Sequence, residues 1–588
     1  MAFDQLLSEG NEMFDLGRWP EAIDKYGEYI ALLANYSGNE DLKFRRVRVH
    51  SNRAGVYLKL KNYLAALDDS ERALRMDKTH FKSWIRMISA FDGLGLYQEE
   101  VRSIKQLPHA ITLTDRGKSW AEAALQSAER KDRQTRFGDI EPEMNRKWEN
   151  QQPGPQLLAS APNLEEYVGP IRIGRTQTMG RGLFATRDIQ QGELLLVSNA
   201  LTSSRSAIKC EVMPVKNWIY KVLQSLEEIV KEAEHNIENF SQFQRLVQLD
   251  TLGGPYSEDQ LDRDVPPMRY FIPINALPEE SWGVTEKDMK HPALKNCFTR
   301  EFLMGIVKDK QLSRHNATLF TISELYVLPS LMNHSCLPNV SVVALYNQKA
   351  SKVFRASRFI RDGEELFRAY HNIFCPVDER RILYAENYCQ CLRCTRELQL
   401  NREVPLLGFM GSECKNVDTM THHTDLSEWP LENLARLRMS CMTGITAVNS
   451  LSSTLPKLEN LSWEGQHWLR AALIVRFLRP LLHPSMQKLP SLSEEHNFLP
   501  MVIKAVQSML VVDPASELAL SICCKTAMIS ARISNRGTNP DSEMEQGEQF
   551  LLDCATRIID LLYGSGVSHE TAWKILKSYE ERLSDFPF

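Results

Sequence analysis

A chain of 588 residues, 43% hydrophobic and 25% charged with 28 glycines and 27 prolines, has the composition of a multidomain globular protein, which excludes a wholly disordered or collagen-like one. Its 70 basic against 75 acidic side chains give a formal charge of −5, so no global basic field points to a nucleic-acid scaffold. Twelve cysteines are too sparse for a disulfide-stapled secreted protein, and no segment approaches the roughly 18 uninterrupted apolar residues of a membrane span.

The opening stretch MAFDQLLSEGNEMF is acidic and amphipathic, unlike a secretory or transit peptide. The richest apolar run, Ala471 to Leu482, is broken by Arg476 and Arg479. A cytoplasmic or nuclear location is expected, with neither a membrane nor direct nucleic-acid contact.

Residues 3–30 carry apolar and small side chains at helical spacing around a Gly-Arg-Trp-Pro turn at Gly17–Pro20. Residues 47–77 repeat the scheme with Ala54, Tyr57, Leu60, Tyr63, Ala66, Leu67, Ala73 and Leu74. A third unit sets Ala90, Leu94 and Tyr97 where the second has Val56, Leu60 and Tyr63, an offset of 34 residues (97 − 63). The first offset is 44 residues (Gly10 to Ala54), as if ten residues were inserted near Asn35–Lys43. Ile88 breaks the small-residue pattern where the second unit has Ala54. An amphipathic segment from Lys118 to Arg136 reads as a capping helix.

A helix–turn–helix period of this length, with small residues at the crossings, resembles the tetratricopeptide (TPR) repeat. In the TPR subclass that grips chaperone tails, Asn and basic side chains hold a C-terminal carboxylate. The resemblance implies such a clamp at Asn11, Asn52, Lys82 and Arg86, with a heat-shock-chaperone C-terminal peptide as partner. Leu7 departs from it, standing where that subclass has its first lysine. The array is expected over 1–136, followed at 137–164 by a linker containing the QQPGPQ stretch.

Beyond it, alternation around Ile171 and Ile173, then Leu183, Phe184 and Leu194–Val197, predicts short strands, with Gly180-Arg181-Gly182 leaving room for close backbone approach to a ligand. Further on come Asn333-His334-Ser335-Cys336-Leu337-Pro338-Asn339, two strands flanking Asn347–Ala350, and Gly363-Glu364-Glu365-Leu366 ahead of Tyr370. Cys389, Cys391 and Cys394 close the series as Cys-x-Cys-x-x-Cys, three thiolates at a spacing one metal can share, where structural zinc wants four.

These motifs, in this order, resemble the SET-domain lysine methyltransferases. The resemblance implies small curved sheets with a threaded, knot-like C-terminal segment. The domain is expected at 165–372, with an insertion at about 201–320 and a zinc segment at 373–400. The long insertion and helical C-terminal third resemble the SMYD-like branch. That branch carries a cysteine-rich MYND finger in the insertion, whereas 201–320 here hold only Cys210 and Cys297. Together the parts look like a TPR-plus-SET protein.

The resemblance implies S-adenosylmethionine as cofactor, bound through Arg181, Gly182, Asn333, His334, Tyr370 and Tyr388, and one structural zinc held by Cys336, Cys389, Cys391 and Cys394. It makes Tyr370 the catalytic tyrosine, acting on a lysine of a protein substrate, histone or otherwise. Tyr326 matches a family aromatic expected to be structural. Asn387 stands where the family usually has an adenine-stacking aromatic, which leaves Tyr388 as the substitute. A catalytically inactive TPR/SET adaptor that binds chaperones or other proteins is the rival reading.

From 401 to 588 the chain is expected to be helical, with Leu434, Leu437, Met442; Trp468, Leu469, Ala472, Leu473; Met501, Val506, Met509, Leu510; and Ile559, Leu562 at helical spacing, punctuated by Pro480, Pro484, Pro490, Pro500 and Pro514. The fold class is therefore α+β and multidomain: a helical repeat array, a β-rich centre split by a helical insertion, and a helical C-terminal domain.

Overall fold

The computed structural model describes residues 2–34, 42–153, 160–176, 179–207, 215–235, 240–251, 313–317, 320–345, 347–370, 389–395, 498–534 and 542–580, with Leu157, 271–273, Leu303 and Ile373 between them. Three helix–turn–helix pairs open the chain: α1 (Ala2–Asp15) with α2 (Trp19–Ala34), α3 (Lys43–Lys59) with α4 (Tyr63–Met76), and α5 (Phe81–Leu94) with α6 (Tyr97–Lys105). A short α7 (His109–Thr112) leads into α8 (Asp115–Phe137).

Local chemistry sets the turns. Asn62 Oδ1 accepts the Ala65 amide at the start of α4, and Thr114 Oγ1 accepts that of Gly117 at the start of α8. Within the second pair, buried Asp69 accepts two hydrogen bonds from Arg53, at 2.6 and 2.9 Å, and lies 2.8 Å from His50 Nδ1, tying α4 to α3. Ile88, irregular in the repeat, is buried with Ile104, Ala121 and Ala128; the large side chain fills the contact with α8 at the end of the array.

Where it is described, the segment expected to be a linker, 137–164, instead contributes to the core. Gly138 ends α8 in the left-handed conformation (φ +69°), where a Cβ would lie 2.6 Å from Leu194. Helix α9 (Glu141–Trp148) follows, and Ile140, Met144 and Trp148 are each 0% exposed. Its prolines and glycines suggested an extended tether, but the apolar spacing 140, 144, 148 is one helix face and decides the outcome.

The β-rich centre comprises β1 (Tyr167–Val168), β2 (Ile171–Arg175), β3 (Arg181–Ala185), β4 (Leu194–Asn199), β5 (Thr202–Ala207), β6 (Ser313–Ala317), β7 (Phe320–Leu325), β8 (Asn333–His334), β9 (Val340–Leu345), β10 (Ser351–Ala356) and β11 (Phe367–Arg368). They form four small sheets: β1-β4-β10-β9, β5-β7-β6, the β2-β3 hairpin and the β8-β11 pair. Helices α10 (Val215–His235) and α11 (Phe240–Thr251) lie between β5 and β6, so the inserted segment leaves and returns through one antiparallel sheet.

Strand β10 is buried along its whole length, and its alternation assigns two faces. Phe354 and Ala356 join a core with β2, β3 and α10, while Val353 joins Trp148 and the C-terminal helices. Those are α12 (Phe498–Val512), α13 (Glu517–Ser534), α14 (Ser542–Tyr563) and α15 (His569–Glu580). Val506, Met509, Ile559 and Leu562 are at most 1% exposed there, and Pro500 sits in the first turn of α12, where a missing amide costs nothing. The helical residues expected between 434 and 473 lie outside the described residues.

Arg355, on the Val353 face, pins three elements together. It donates to Gly192 O at 3.0 Å, to Tyr563 O at 3.2 Å and to Glu141 at 2.5 Å. No described helix is long and apolar enough to cross a membrane.

A second polar knot joins the array to the centre. Tyr97 donates to Glu165 Oε2 at 2.9 Å, Lys349 to Glu165 Oε1 at 2.8 Å, and the Glu165 amide to Gln134 Oε1 at 3.0 Å. Beside it Glu100 is 5% exposed and its Oε2 has no hydrogen-bond partner. Burial, then the negative charge of Asp92, pushes the Glu100 carboxyl up to about 8, with Lys131 pulling the other way and Glu165 adding to the rise. The folded chain keeps this proton where the unfolded chain has lost it, so this group's contribution to stability falls as pH rises between about 5 and 8. Glu100→Gln is expected to flatten that slope and to stabilise the protein above pH 8 in urea unfolding measured across pH; an unchanged slope rejects the assignment.

Candidate functional site

The site forms where two distant segments run side by side. β11 lies parallel to β8, with Phe367 opposite Asn333 and Arg368 opposite His334. A two-residue parallel ladder is weak by itself. Asn339, 0% exposed, supplies what is missing: its Nδ2 donates to Glu365 O at 2.8 Å and Glu364 Oε1 at 3.1 Å, and its Oδ1 accepts the Phe367 amide at 2.7 Å. The Ser335 amide donates to Arg368 O and the Asn339 amide to Phe367 O, each at 3.2 Å.

The β2-β3 hairpin closes over this pair. Leu366 N donates to Leu183 O at 2.7 Å and Ala185 N to Glu364 O at 2.9 Å. Gly182 faces the junction: a Cβ there would lie 2.6 Å from Glu365 Oε1 and 3.1 Å from Asn333 Nδ2, so only glycine admits this approach. The Asn333 amide donates to Glu365 Oε1 at 2.7 Å and to Arg181 O at 3.2 Å. Both amide hydrogens are therefore engaged within the protein, and the group Asn333 offers a ligand is its acceptor oxygen, suited to a cation. Burial pushes the Glu365 carboxyl up, against the opposing hydrogen bond from Asn333.

Two residues after β11, Tyr370 lies in the same place. Its hydroxyl donates to Met332 O at 2.7 Å, and its ring is 5.3 Å from the imidazole of His334. Arg368 stacks over the phenol with its guanidinium carbon 4.4 Å from the ring centroid. Burial raises the Tyr370 phenol, which Arg368 opposes. Asn333, His334, Gly182, the Arg181 carbonyl and Tyr370 are thus brought together from three chain segments. Tyr326, by contrast, is buried behind them, its hydroxyl lying 2.8 Å from Glu324 Oε2 and 2.6 Å from Ala350 O, as a packing role requires. Tyr388 and Asn387 lie outside the described residues.

Four sulfurs lie alongside. The Sγ atoms of Cys336, Cys389, Cys391 and Cys394 are all within 4.8 Å of one another, and Cys336 Sγ is 3.5 Å from that of Cys394. All four are free cysteines. Hydrogen bonds from Cys336 are the largest influence holding the Cys389 and Cys391 thiols below the ordinary range, Cys391 at about 6. Four convergent thiols, Cys336 and Cys394 buried and Cys389 and Cys391 half-buried, fit a single tetrahedral thiophilic cation.

Sequence reasoning passed over Glu365 and Arg368. Glu365 stood in the Gly-Glu-Glu-Leu motif but was given no role there; the missing signal is the glycine opposite it. In the array, Asn11 Oδ1 accepts from Tyr26 at 2.7 Å and from Asn52 at 3.1 Å. Arg86 hydrogen-bonds Ser51, and Lys82, one turn earlier on α5, is exposed.

Comparison with known proteins follows the same division. Residues 180–371 match the family described as the SET domain, and the chain carries that domain. Over 185 residues the chain is 31% identical to "Histone-lysine N-methyltransferase SET5" of Vanderwaltozyma polyspora, covering 31% of this chain and 34% of that one. Over 92 residues it is 34% identical to human "N-lysine methyltransferase SMYD2", covering 15% and 19%. Among solved structures, the "TPR2B-domain:pHsp70-complex of yeast Sti1" aligns with 22% of this chain at 21% identity and a TM-score of 0.20. The chain spans about a third or less of the length of the curated relatives named here. Asn339→Ala is expected to lower unfolding free energy by about 3 kcal/mol, since it removes a buried carboxamide and strands the half-buried Phe367 amide together with the Glu365 carbonyl. Guanidinium unfolding checks this, and a loss below about 1 kcal/mol would show the ladder holding by itself.

Proposed function

We propose that this chain, through its SET domain, is an S-adenosylmethionine-dependent protein-lysine N-methyltransferase whose helical array recruits protein partners. The observation carrying the reading is the convergence of the Gly182–Asn333–Glu365 cradle and the Tyr370 hydroxyl, drawn from segments more than 180 residues apart (370 − 182 = 188). Bound S-adenosylmethionine supplies a methyl group carried on a sulfonium.

The chain's own residues supply alignment and dryness. Asn333, its amide hydrogens already engaged, would offer its acceptor oxygen to a cationic end of the cofactor, and Gly182 would keep the approach open. Tyr370 donates its hydroxyl hydrogen to Met332 O, which leaves the phenol oxygen's lone pairs to accept from a lysine amine or a polarised methyl C–H. A lysine amine placed beside the Tyr370 oxygen would accept that methyl through its Nζ lone pair and give up its surplus proton to solvent. An amine with a reference pKa near 10.4 is neutral in only roughly one molecule in a thousand at pH 7.4, so the buried setting of Tyr370, which favours uncharged forms, aids the step. Cys336, Cys389, Cys391 and Cys394 would hold one structural zinc, fastening the segment after Tyr370 to the Asn-His turn.

The proposed partner of the array is an extended peptide ending in a free carboxylate, of the heat-shock-chaperone kind. Asn11, Asn52 and Arg86 cluster beside Tyr26, with Lys82 exposed on the same helix as Arg86. Cytoplasm, nucleus or both would house these activities.

Two outcomes are expected. Tyr370→Phe should abolish transfer of labelled methyl to a mixed histone and cytosolic-protein pool while leaving S-adenosylmethionine affinity by calorimetry within about twofold; wild-type transfer by the variant would remove the phenol from the mechanism. A chaperone C-terminal peptide should bind the full chain, and Lys82→Glu or amidation of the peptide should weaken it about tenfold, equivalent to one charge-assisted hydrogen bond. Equal affinity for the free and amidated peptide would reject the clamp.

A further inference from the structure

His334 makes contacts that the cofactor reading does not use. Its ring is 8% exposed. Its Nδ1 accepts the backbone amide of Tyr370 at 3.1 Å, and its Nε2 lies 3.3 Å from Cys336 Sγ. The two contacts fix the tautomer. A nitrogen that accepts an N–H carries the lone pair, so the ring proton is on Nε2 and points at sulfur. An N–H···S hydrogen bond to a thiolate is charge-assisted and holds a metal ligand from outside the coordination shell.

We propose that His334 is a positioning residue, a strut that transmits the placement of Cys336 in the four-cysteine metal centre to the backbone of Tyr370. One ring spans both groups, and its face also lies against the Tyr370 phenol, 5.3 Å centroid to centroid. Cys336 anchors one end because it is 0% exposed and belongs to the sulfur cluster; Tyr370 at the other end has its hydroxyl set by Met332 O. An imidazole is rigid, so displacement of the sulfur moves the Tyr370 amide instead of being absorbed in rotamers. Binding of metal therefore stiffens the phenol, and by linkage anything that fixes the phenol tightens metal binding.

The inference rests on the metal reading of the four cysteines and not on methyl transfer, and the test separates the two. In the full chain, His334→Gln places an amide near the Nε2 position and keeps a donor for Cys336 without an acceptor for Tyr370. His334→Asn does the reverse, placing an acceptor near Nδ1 and leaving the sulfur without its donor. Zinc release into a chromogenic chelator and hydrogen exchange at the Tyr370 amide are read for each.

The expected result is crossed. The Gln variant retains zinc within about twofold of wild type but exchanges the Tyr370 amide about tenfold faster; the Asn variant releases zinc about tenfold faster with that amide still protected. Stripping zinc from the wild-type chain should also speed exchange at Tyr370 while the amides of β9 and β10 stay protected. That last measurement needs no variant to fold. A metal-loaded Gln variant with a fully protected Tyr370 amide, or an Asn variant that keeps zinc as wild type does, overturns the strut alone. A wild-type chain that takes up no zinc overturns the metal reading and the strut with it.

Discussion

Everything at the site depends on Asn339, a fully buried polar side chain that stitches two distant backbone segments into a two-residue parallel ladder. Parallel pairing ordinarily comes in long runs covered by helices, because each residue contributes little. Here the run is as short as a ladder can be, and the side-chain amide acts as an extra backbone unit, accepting from Phe367 and donating to Glu365. A buried amide left unsatisfied would cost about as much as it contributes when paired. The segment carrying Tyr370 is consequently held in one register, since a slip by one residue would strand both ends of Asn339.

The buried charges have a related logic. Arg355 bonds two carbonyls and the Glu141 carboxylate at the meeting point of the central sheet, α9 and α14. Lys352, three residues earlier on the same strand and on the opposite face, lies 3.5 Å from Glu324 and 4.5 Å above the Tyr326 ring, and burial draws its ammonium down to about 8. Apolar residues of equal volume would often serve stability as well. What the charges add is direction: a carbonyl or carboxylate accepts from one side only, so the sheet can seat against its neighbours in one orientation. Alternation along β10 then decides which layer receives which charge.

Much of this was readable in the residues. The helix pairs announced themselves through recurring small and aromatic side chains, 34 residues apart between the second and third units, and the Asn-His-Ser-Cys and Gly-Glu-Glu-Leu motifs named the neighbourhood of Tyr370. The fourth sulfur at Cys336 followed from a family resemblance, and the geometry now sets it among the other three. The stretch around Trp148 misled because glycine and proline dominate its appearance while three apolar residues dominate its energetics. Glu365 and the imidazole contacts of His334 were out of reach for a different reason. Each acts through a partner far along the chain, and local pattern carries no information about which residue a fold will bring opposite.

The knot at Glu165 has a geometric consequence. Tyr97 and Gln134 from the array and Lys349 from the central domain all grip one residue, its side chain by Tyr97 and Lys349 and its amide by Gln134. The array therefore stands off the domain as a braced arm and not as a tethered one. On the function proposed above, a cargo moored on such an arm would meet the phenol only if the stretch between its mooring point and its acceptor spanned a set gap. Selection would then be metric, reading how far along the cargo an acceptor lies before reading what surrounds it.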